Sequence, residues 1–495
     1  MEMTSRPPVA LAVDIGAGSG RVIAGILENG TLRLEEVHRF TNEGVHLIDT
    51  WHWQVTRQFA DVLEGLKKAH DQYGDAIQSI GVDTWGVDYG LIDEKGRLLG
   101  IPVQYRDGRT DGIMERAFAK VPAKTLYQAT GNQFMFYNTL FQLMAEGEQF
   151  PERLKKADQL LFMPDLLNYW LCGTKANEAT IASTGQLVDA STGEWASGIL
   201  QDLEIPESIL GPLVQPGDVL GDLLPGVKEA TGFGDAKVIA VGSHDTASAY
   251  AAVPTEEPHA VYLSSGTWSL LGTMSDNAVV TDESFDLAFT NERATDGRIR
   301  LLKILCGMWI LQECMSDWAE TDGFDWDTLV AEAEAADPLV SFIDPDEERF
   351  ATPGDMPERI RTFCRETGQP EPTSRGALAR AVYESLALKY RLTTDQLGQL
   401  VGHELGTFHV VGGGSRNNLL NQFTANALNR SVVAGPVEAT AAGNVLCQLE
   451  SLGHVTGHEE MQQIITSSFE VDHFTPQDTD AWDQAFQRFT SLIKA

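Results

Sequence analysis

The stretch "VALAVDIGAGSGRVIAGILENGTLRLEEVHRF", residues 9–40, decides the fold. Its opening, "VALAVDIGAG", is an apolar strand that ends in glycines. "GRVIAGILENG" is a second strand closed by Asn29-Gly30, and "TLRLEEVHRF" is a third. An Asn-Gly pair between two β-like runs signals a hairpin. Next, "VTRQFADVLEGLKKAHDQYG" places Phe59, Val62, Leu63 and Leu66 at helical spacing and ends in glycine. "IQSIGVDTWGVDYGLIDEKGRLL" returns to strands, with a turn at Glu94-Lys95-Gly96. The order is β-β-β-α-β, an antiparallel meander that feeds an α/β unit.

The second half echoes this opening. "HAVYLSSGTWSLLGTM", residues 259–274, is again strand, glycine turn, strand. "RGALARAVYESLALKYRLTTDQLGQLVG" reads as a long amphipathic helix. "TFHVVGGGSRNNLLNQFTANALN" reads as strand, triple-glycine turn and helix, and "VEATAAGNVLCQLESLG" as a further helix. Two such halves fit two similar lobes with a cleft between them, and equally two unrelated α/β domains with glycine turns. Residues 130–240 hold helical pieces ("NTLFQLMAEGEQF", "MPDLLNYWLCG") and a polar stretch with Pro206, Pro212 and Pro216. They read as insertions elaborating the first lobe. The acidic "DPDEERFATPGDMPER", residues 344–359, reads as a surface loop.

A chain of 495 residues exceeds one hydrophobic core, so two domains are expected. A net charge of −35 argues against nucleic acid or an anionic membrane as partner. An anion such as a nucleotide must then be captured locally, by backbone amides, a metal ion and a few chosen cations. The five cysteines are scattered and form no CxxC pair, which points to a reducing compartment and away from a zinc site. "MEMTSRPP" leads into the first strand with no signal-peptide core, and no apolar run approaches 18 residues. A cytoplasmic protein is expected.

Four places can carry chemistry. "DIGAGSGR", Asp14–Arg21, lets backbone N–H groups approach a ligand and adds a hydroxyl at Ser19 and a charge at Arg21. That suits phosphate, although neither a Walker loop nor Rossmann spacing is present. Asp14, at a strand end, suits Mg²⁺ held through water. "SSGTWSL" is a second glycine turn with hydroxyl donors, and "VVGGGSRNN" opens a helix whose N-terminus favours anions. Each reads equally as plain turn chemistry. In "GSHDTASAYAAVP", Asp245 is either a helix cap or a base, and His244 either a buried hydrogen-bonded ring or a site residue. No GxSxG is present, and Ser243, His244 and Asp245 are too close in sequence to form a hydrolase triad.

Taken together, "DIGAGSGR", "GVDTWGVDYGLID", "YRDGR", "SHDTASA", "YLSSGTWSL" and "VVGGGSRNNLLNQ" through "AGPVEATAAGN" resemble the FGGY carbohydrate kinases, in order from about residue 9 to about 450. The resemblance implies an α/β chain of two actin-like (ribonuclease-H-like) lobes, residues 1–247 and 248–495, with a central nucleotide/sugar cleft. The first lobe would bind sugar and phosphate, the second the nucleotide. The implied activity is transfer of the ATP γ-phosphoryl group to a ketose hydroxyl. By similarity Ala17, Gly18, Ser19, Gly20, Arg21, Thr267, Gln312 and Gly413 contact ATP, with Asn417 a weaker candidate. Gly86, His244, Asp245 and Thr246 hold the sugar, and Asp245 is the general base. The expected partners are a ketose and MgATP. One position departs from the pattern. In "LLKILCGMW", Ile304 stands where the most similar members carry asparagine in the run Lys-Asn-Ile-Met-Gly. A kinase for a neighbouring ketose, an actin-like ATPase and a ligand-binding regulator each share part of this set.

Overall fold

The computed structural model describes residues 7–318 and 325–493, so most of the leading "MEMTSRPP" lies outside the described residues. The chain divides into two compact units. One comprises residues up to Glu256 together with Ser275–Leu301 and Ala439–Phe469. The other comprises Glu257–Met274, Leu302–Glu438 and the residues from Glu470 onward. The boundary expected between residues 247 and 248 falls inside a helix of the first unit, Asp245–Ala251.

The first unit is built on the meander. Val9–Ile15 pairs antiparallel with Ser19–Glu28, which pairs antiparallel with Thr31–Thr41. Asn29 and Gly30 both have positive φ, 54° and 76°, as a two-residue hairpin turn requires. Val9–Ile15 also pairs parallel with Ile77–Thr84, and Lys237–Ile239 and Val219–Asp222 complete a six-stranded sheet. The helix expected after the meander spans Val55–Tyr73. It buries Val62, Leu66 and Ala69 and stops at Gly74. An additional hairpin, Gly44–Leu47 with Thr50–Trp53, precedes it. The sequence hides this hairpin because its turn carries Ile48 at φ 64°, a residue disfavoured there, in place of an Asn-Gly pair.

Residues 130–240 do elaborate this unit. Helices Thr139–Gln149 and Met163–Cys172 contribute to its packing, and Leu140, Phe141, Leu160, Phe162, Ile181 and Leu200 share one fully buried cluster. The helix Ala439–Ser451 belongs here too. Its Gln448 donates from Nε2 to the Leu11 carbonyl at 3.0 Å, on the central strand.

The second unit repeats the strand logic. Val261–Ser265 pairs antiparallel with Trp268–Ser275 and parallel with Phe408–Val411, which is parallel to Val432–Ala434. Ile299–Cys306 flanks Trp268–Ser275 in the sheet order. With the edge strand Thr290–Arg293 set aside, both sheets run third, second, first, fourth, fifth strand. The long helix Arg375–Val401 is capped by Ser374, whose Oγ accepts from Ala377 N–H at 3.1 Å, and ends at Gly402 with φ 70°. The acidic stretch 344–359 is more than a surface loop. Phe350 is fully buried, and Asp344 and Asp346 grip Lys389 at 2.8 and 2.9 Å. Its charges read as solvated in the sequence because their partner lies far along the chain. No helix among the described residues is long and apolar enough to cross a membrane.

Candidate functional site

The expected site residues fall into two groups, one in each unit. In the first unit, the turn Gly16-Ala17-Gly18 joins the opening strands. The Gly16 N–H donates to the Ser19 carbonyl at 2.9 Å, and Asn42 holds the Gly16 and Gly18 carbonyls. Ala17 and Gly18 are exposed, and no hydrogen bond among the described residues occupies their N–H groups. Ser19 is half-buried and Gly20 buried. The turn thus offers free backbone donors at the end of a rigid hairpin, which is what an anion needs.

Asp14 and Arg21 are register partners across this hairpin, and their side chains form an ion pair at 2.5 Å. On its other side Asp14 is in register with Asp83. Asp83 is fully buried and accepts from Asn444 Nδ2 at 2.5 Å, while its Oδ1 has no hydrogen-bond partner. Burial pushes the Asp83 carboxyl well up. The charge of Asp14 adds to this, Asn444 draws it down, and Asp245 pushes it up again. Asp14 and Asp245 thus lie within electrostatic reach of Asp83, and one oxygen of Asp83 is orphaned.

The stretch Ser243–Thr246 is strapped down from two sides. Thr84 N–H donates to the Ser243 carbonyl at 2.9 Å, so Ser243-His244 runs on beside the strand that carries Asp83. Glu178 Oε2 accepts from Ser243 N–H at 3.1 Å, and Thr180 Oγ1 from His244 N–H at 3.2 Å. The helix then begins. His244 is its N-cap residue and Asp245 its first residue, so Asp245 is not the cap. Its Oδ1 takes the N–H of Thr246 at 2.6 Å and Thr246 Oγ1 at 3.1 Å, and Oδ2 has no hydrogen bond among the described residues. Asp245 is partly exposed while His244 and Thr246 are buried. The ring of His244 lies between Asp245 and the buried Glu292, which pairs with the buried Arg300.

Gly86 follows the Asp83 strand by two residues. By resemblance it is expected to hold the sugar. The structure adds a packing reason: a Cβ there would crowd the Thr184 side chain, whose Oγ1 accepts the next N–H, that of Val87, at 3.1 Å. Beyond it Asp88 is buried among donors. Its Oδ2 accepts from the indoles of Trp53 at 2.6 Å and Trp85 at 3.0 Å and from Tyr105 N–H at 3.1 Å; Oδ1 accepts from Gln142 at 3.0 Å. Burial pushes its carboxyl up to about 6, held from rising further by these donors. Burial likewise pushes Glu178 up to about 7.

In the second unit the turn Gly266-Thr267 is bound by the start of the helix Trp309–Trp318. The Thr267 carbonyl accepts from Gly307 and Trp309 N–H, both at 3.2 Å, and Gln312, one turn along, donates its N–H to the Met308 carbonyl at 2.9 Å. Thr267 and Gln312 are therefore brought together, both half-buried. The triple glycine packs onto the same hairpin. Gly412 has φ 81°, and a Cβ on Gly414 would strike Ser265. Gly413 is exposed, with nothing near its Cβ position. Asn417 instead caps the next helix, with Oδ1 accepting from Leu420 N–H at 3.0 Å.

Asp83, Asp88, Glu178, Glu292 and Arg300 were not singled out in the sequence. A signal was there: acidic residues inside apolar strand runs, as in "SIGVDTWGVDYGLI", are almost never buried without partners.

Two domain models of the FGGY family of carbohydrate kinases match this chain, the N-terminal domain over residues 9–252 and the C-terminal domain over residues 261–452. The chain belongs to the FGGY family of carbohydrate kinases. It is 44% identical to the rhamnulokinase of Bacteroides thetaiotaomicron, over 98% of this chain and 99% of that protein. It is 42% identical to the rhamnulokinase of Enterococcus faecalis, over 97% of this chain and 98% of the other. Among solved structures, the gluconate kinase of Lactobacillus acidophilus superposes with a TM-score of 0.81 at 16% identity, covering 99% of this chain and 98% of its own. The Plasmodium falciparum glycerol kinase with ADP superposes at 0.78, also at 16% identity, covering 98% of both. The shared fold is the actin-like α/β kinase fold, in agreement with the two matching strand orders.

Proposed function

We propose that this chain is an ATP-dependent sugar kinase that phosphorylates the 1-hydroxyl of L-rhamnulose, giving L-rhamnulose 1-phosphate and ADP. The supporting observation is the identity of 40–44% to rhamnulokinases along nearly the whole chain. The geometry around Asp245 agrees with this reading. A ketose hydroxyl is a poor nucleophile, and a carboxylate oxygen near 3 Å accepts its proton as the P–O bond forms. Oδ2 of Asp245 is available for this while Oδ1 is tethered. Gly86, His244 and Thr246 surround the sugar.

Ala17, Gly18, Ser19, Gly20 and Arg21 hold the ATP phosphates in the first unit. Thr267, Gln312 and Gly413 hold the nucleotide in the second. Asp14, with Asp83 behind it, holds Mg²⁺ through water. When bound, the ion neutralises phosphate charge. The five unpaired cysteines suit a cytoplasmic enzyme. The test is ketose-dependent ADP release over a panel that includes L-rhamnulose and L-fuculose, with the phosphorylated carbon located by NMR. Turnover greatest with L-rhamnulose and a phosphate on C1 is expected. ADP release indifferent to ketose would mean an ATPase, and another preferred ketose would reassign the substrate.

A further inference from the structure

We propose that Arg300, braced by Glu292, is a positioning residue that acts through His244 to orient Asp245; the proposal rests on the reading of Asp245 as the base. Arg300 and Glu292 sit on neighbouring strands, Ile299–Cys306 and Thr290–Arg293. Arg300 is 0% exposed and Glu292 3%. Arg300 donates from Nε to the Arg293 carbonyl at 3.0 Å and from Nη2 to Glu292 Oε2 at 2.9 Å, and its guanidinium lies 5.6 Å from the Tyr250 ring centroid. A buried ion pair of this kind is seldom required for stability, since apolar residues can fill the same space. Its position beside the site residue suggests another use.

The partners fix the orientation of the imidazole. Nδ1 of His244 lies 3.2 Å from Arg300 Nη2, which can only donate, and 3.2 Å from Glu292 Oε2. Nε2 faces a single partner, Asp245 Oδ1, at 3.5 Å. An ionised carboxylate only accepts, so Nε2 must carry a proton to meet it. Nδ1 is held between the Arg300 donor and the Glu292 acceptor, and this pair sets the plane of the ring. Glu292 keeps the guanidinium in place. Burial pushes the Glu292 carboxyl up, but Arg300 and His244 more than offset this and hold it low, so it stays charged against Arg300. The Nε2–Oδ1 distance of 3.5 Å is long, and on this proposal it shortens when the site is filled. It joins the two donors of Thr246 on Oδ1. Three donors on one oxygen turn Oδ2 toward the hydroxyl. Without Arg300 the ring can flip or change tautomer, and a bare Nε2 would repel Asp245.

The test combines a tautomer measurement with kinetics. ¹⁵N NMR of the histidine rings, with His244→Asn to assign the signal, should show His244 protonated at Nε2 in the unaltered enzyme. The double variant Glu292→Gln/Arg300→Met removes both charges together and leaves neither buried alone. It should lower kcat about 10- to 100-fold, less than loss of the base itself, and leave KM for ATP within about twofold. Arg300→Lys keeps a charged donor and should recover part of the loss. The NMR result needs no variant fold, so a misfolded double variant leaves the proposal open to refutation. An Nδ1–H tautomer in the unaltered enzyme, or a folded double variant with kcat within about threefold, overturns it. If Asp245→Asn keeps full turnover in the same assay, the reading of Asp245 as base fails instead, while the tautomer still decides whether Arg300 controls His244.

Discussion

Asp14 and Arg21 face each other across the first hairpin as register partners, with Nη2 2.5 Å from Oδ2. The pairing holds the guanidinium on the hairpin whose turn carries the free N–H groups of Ala17 and Gly18, in a chain whose overall charge repels anions. Arg21→Ala should therefore weaken MgATP binding about 10- to 100-fold, the range of one or two charge-assisted hydrogen bonds. Transfer should slow with it. Sugar affinity, measured by calorimetry without nucleotide, should stay nearly intact. An equal loss of sugar affinity would place Arg21 in the wrong subsite.

Asp245 is the first residue of its helix; among the described residues its side chain hydrogen-bonds to the neighbouring Thr246 and lies 3.5 Å from His244 Nε2. Asp245→Asn keeps the shape and most of that hydrogen bonding and removes the basicity. A kcat loss on the order of 10²–10⁴-fold is expected, with the melting temperature almost unchanged. Should kcat stay within about threefold, the residue serves only to organise the helix start, and another group must take the proton.

Asp88 ties the indoles of Trp53 and Trp85, 4.2 Å apart between ring centroids, to the Tyr105 backbone. Its carboxyl is raised from 3.8 to about 6 by burial. A raised acid binds its proton more tightly in the folded state, so folding is favoured at low pH and this contribution is lost as pH rises through about 6. The window of roughly two pH units corresponds to about 3 kcal/mol. Urea unfolding of the parent and of Asp88→Asn across pH 4–7 should differ in slope, with the parent losing stability relative to the variant as pH rises. Parallel curves would show that the four donors hold Asp88 ionised throughout.

The meander, its Asn-Gly turn, the first helix and the second glycine hairpin were all legible, because each is a local pattern closed by a local signal. The same holds for the glycine turns and the helix start at Asp245. What stayed hidden depends on distance. The helix Ala439–Ser451 returns to the first unit, so no single cut could separate two lobes. Asp83 meets Asn444 from 361 residues away, and Glu178 reaches Ser243 across 65. His244 is flanked by Glu292 and Arg300, which look in the sequence like ordinary strand charges. Local spacing carries no information about which buried charge will find which partner, and those pairings shape the site.

Ile304 stands where the family resemblance implies an asparagine, and the structure bears on what that means. It lies in the strand Ile299–Cys306, between half-buried Lys303 and buried Leu305, and is itself half-buried. Strand alternation puts it on the same face as Leu302 and Cys306, which are buried. A fully packed core residue would be sealed from ligand; a half-buried one can reach it. An isoleucine side chain offers no hydrogen bond, so if it faces the sugar, one hydroxyl is met by other means. A net hydrogen bond contributes roughly 0.5–1.5 kcal/mol. Ile304→Asn should then lower KM for L-rhamnulose about 2- to 10-fold and leave KM for ATP unchanged. Steady-state kinetics with each substrate varied in turn decides it. If the rhamnulose KM of a well-folded variant is unchanged or higher, position 304 does not address the sugar in this enzyme. The isoleucine is then explained by packing beside Leu302 and Cys306 alone.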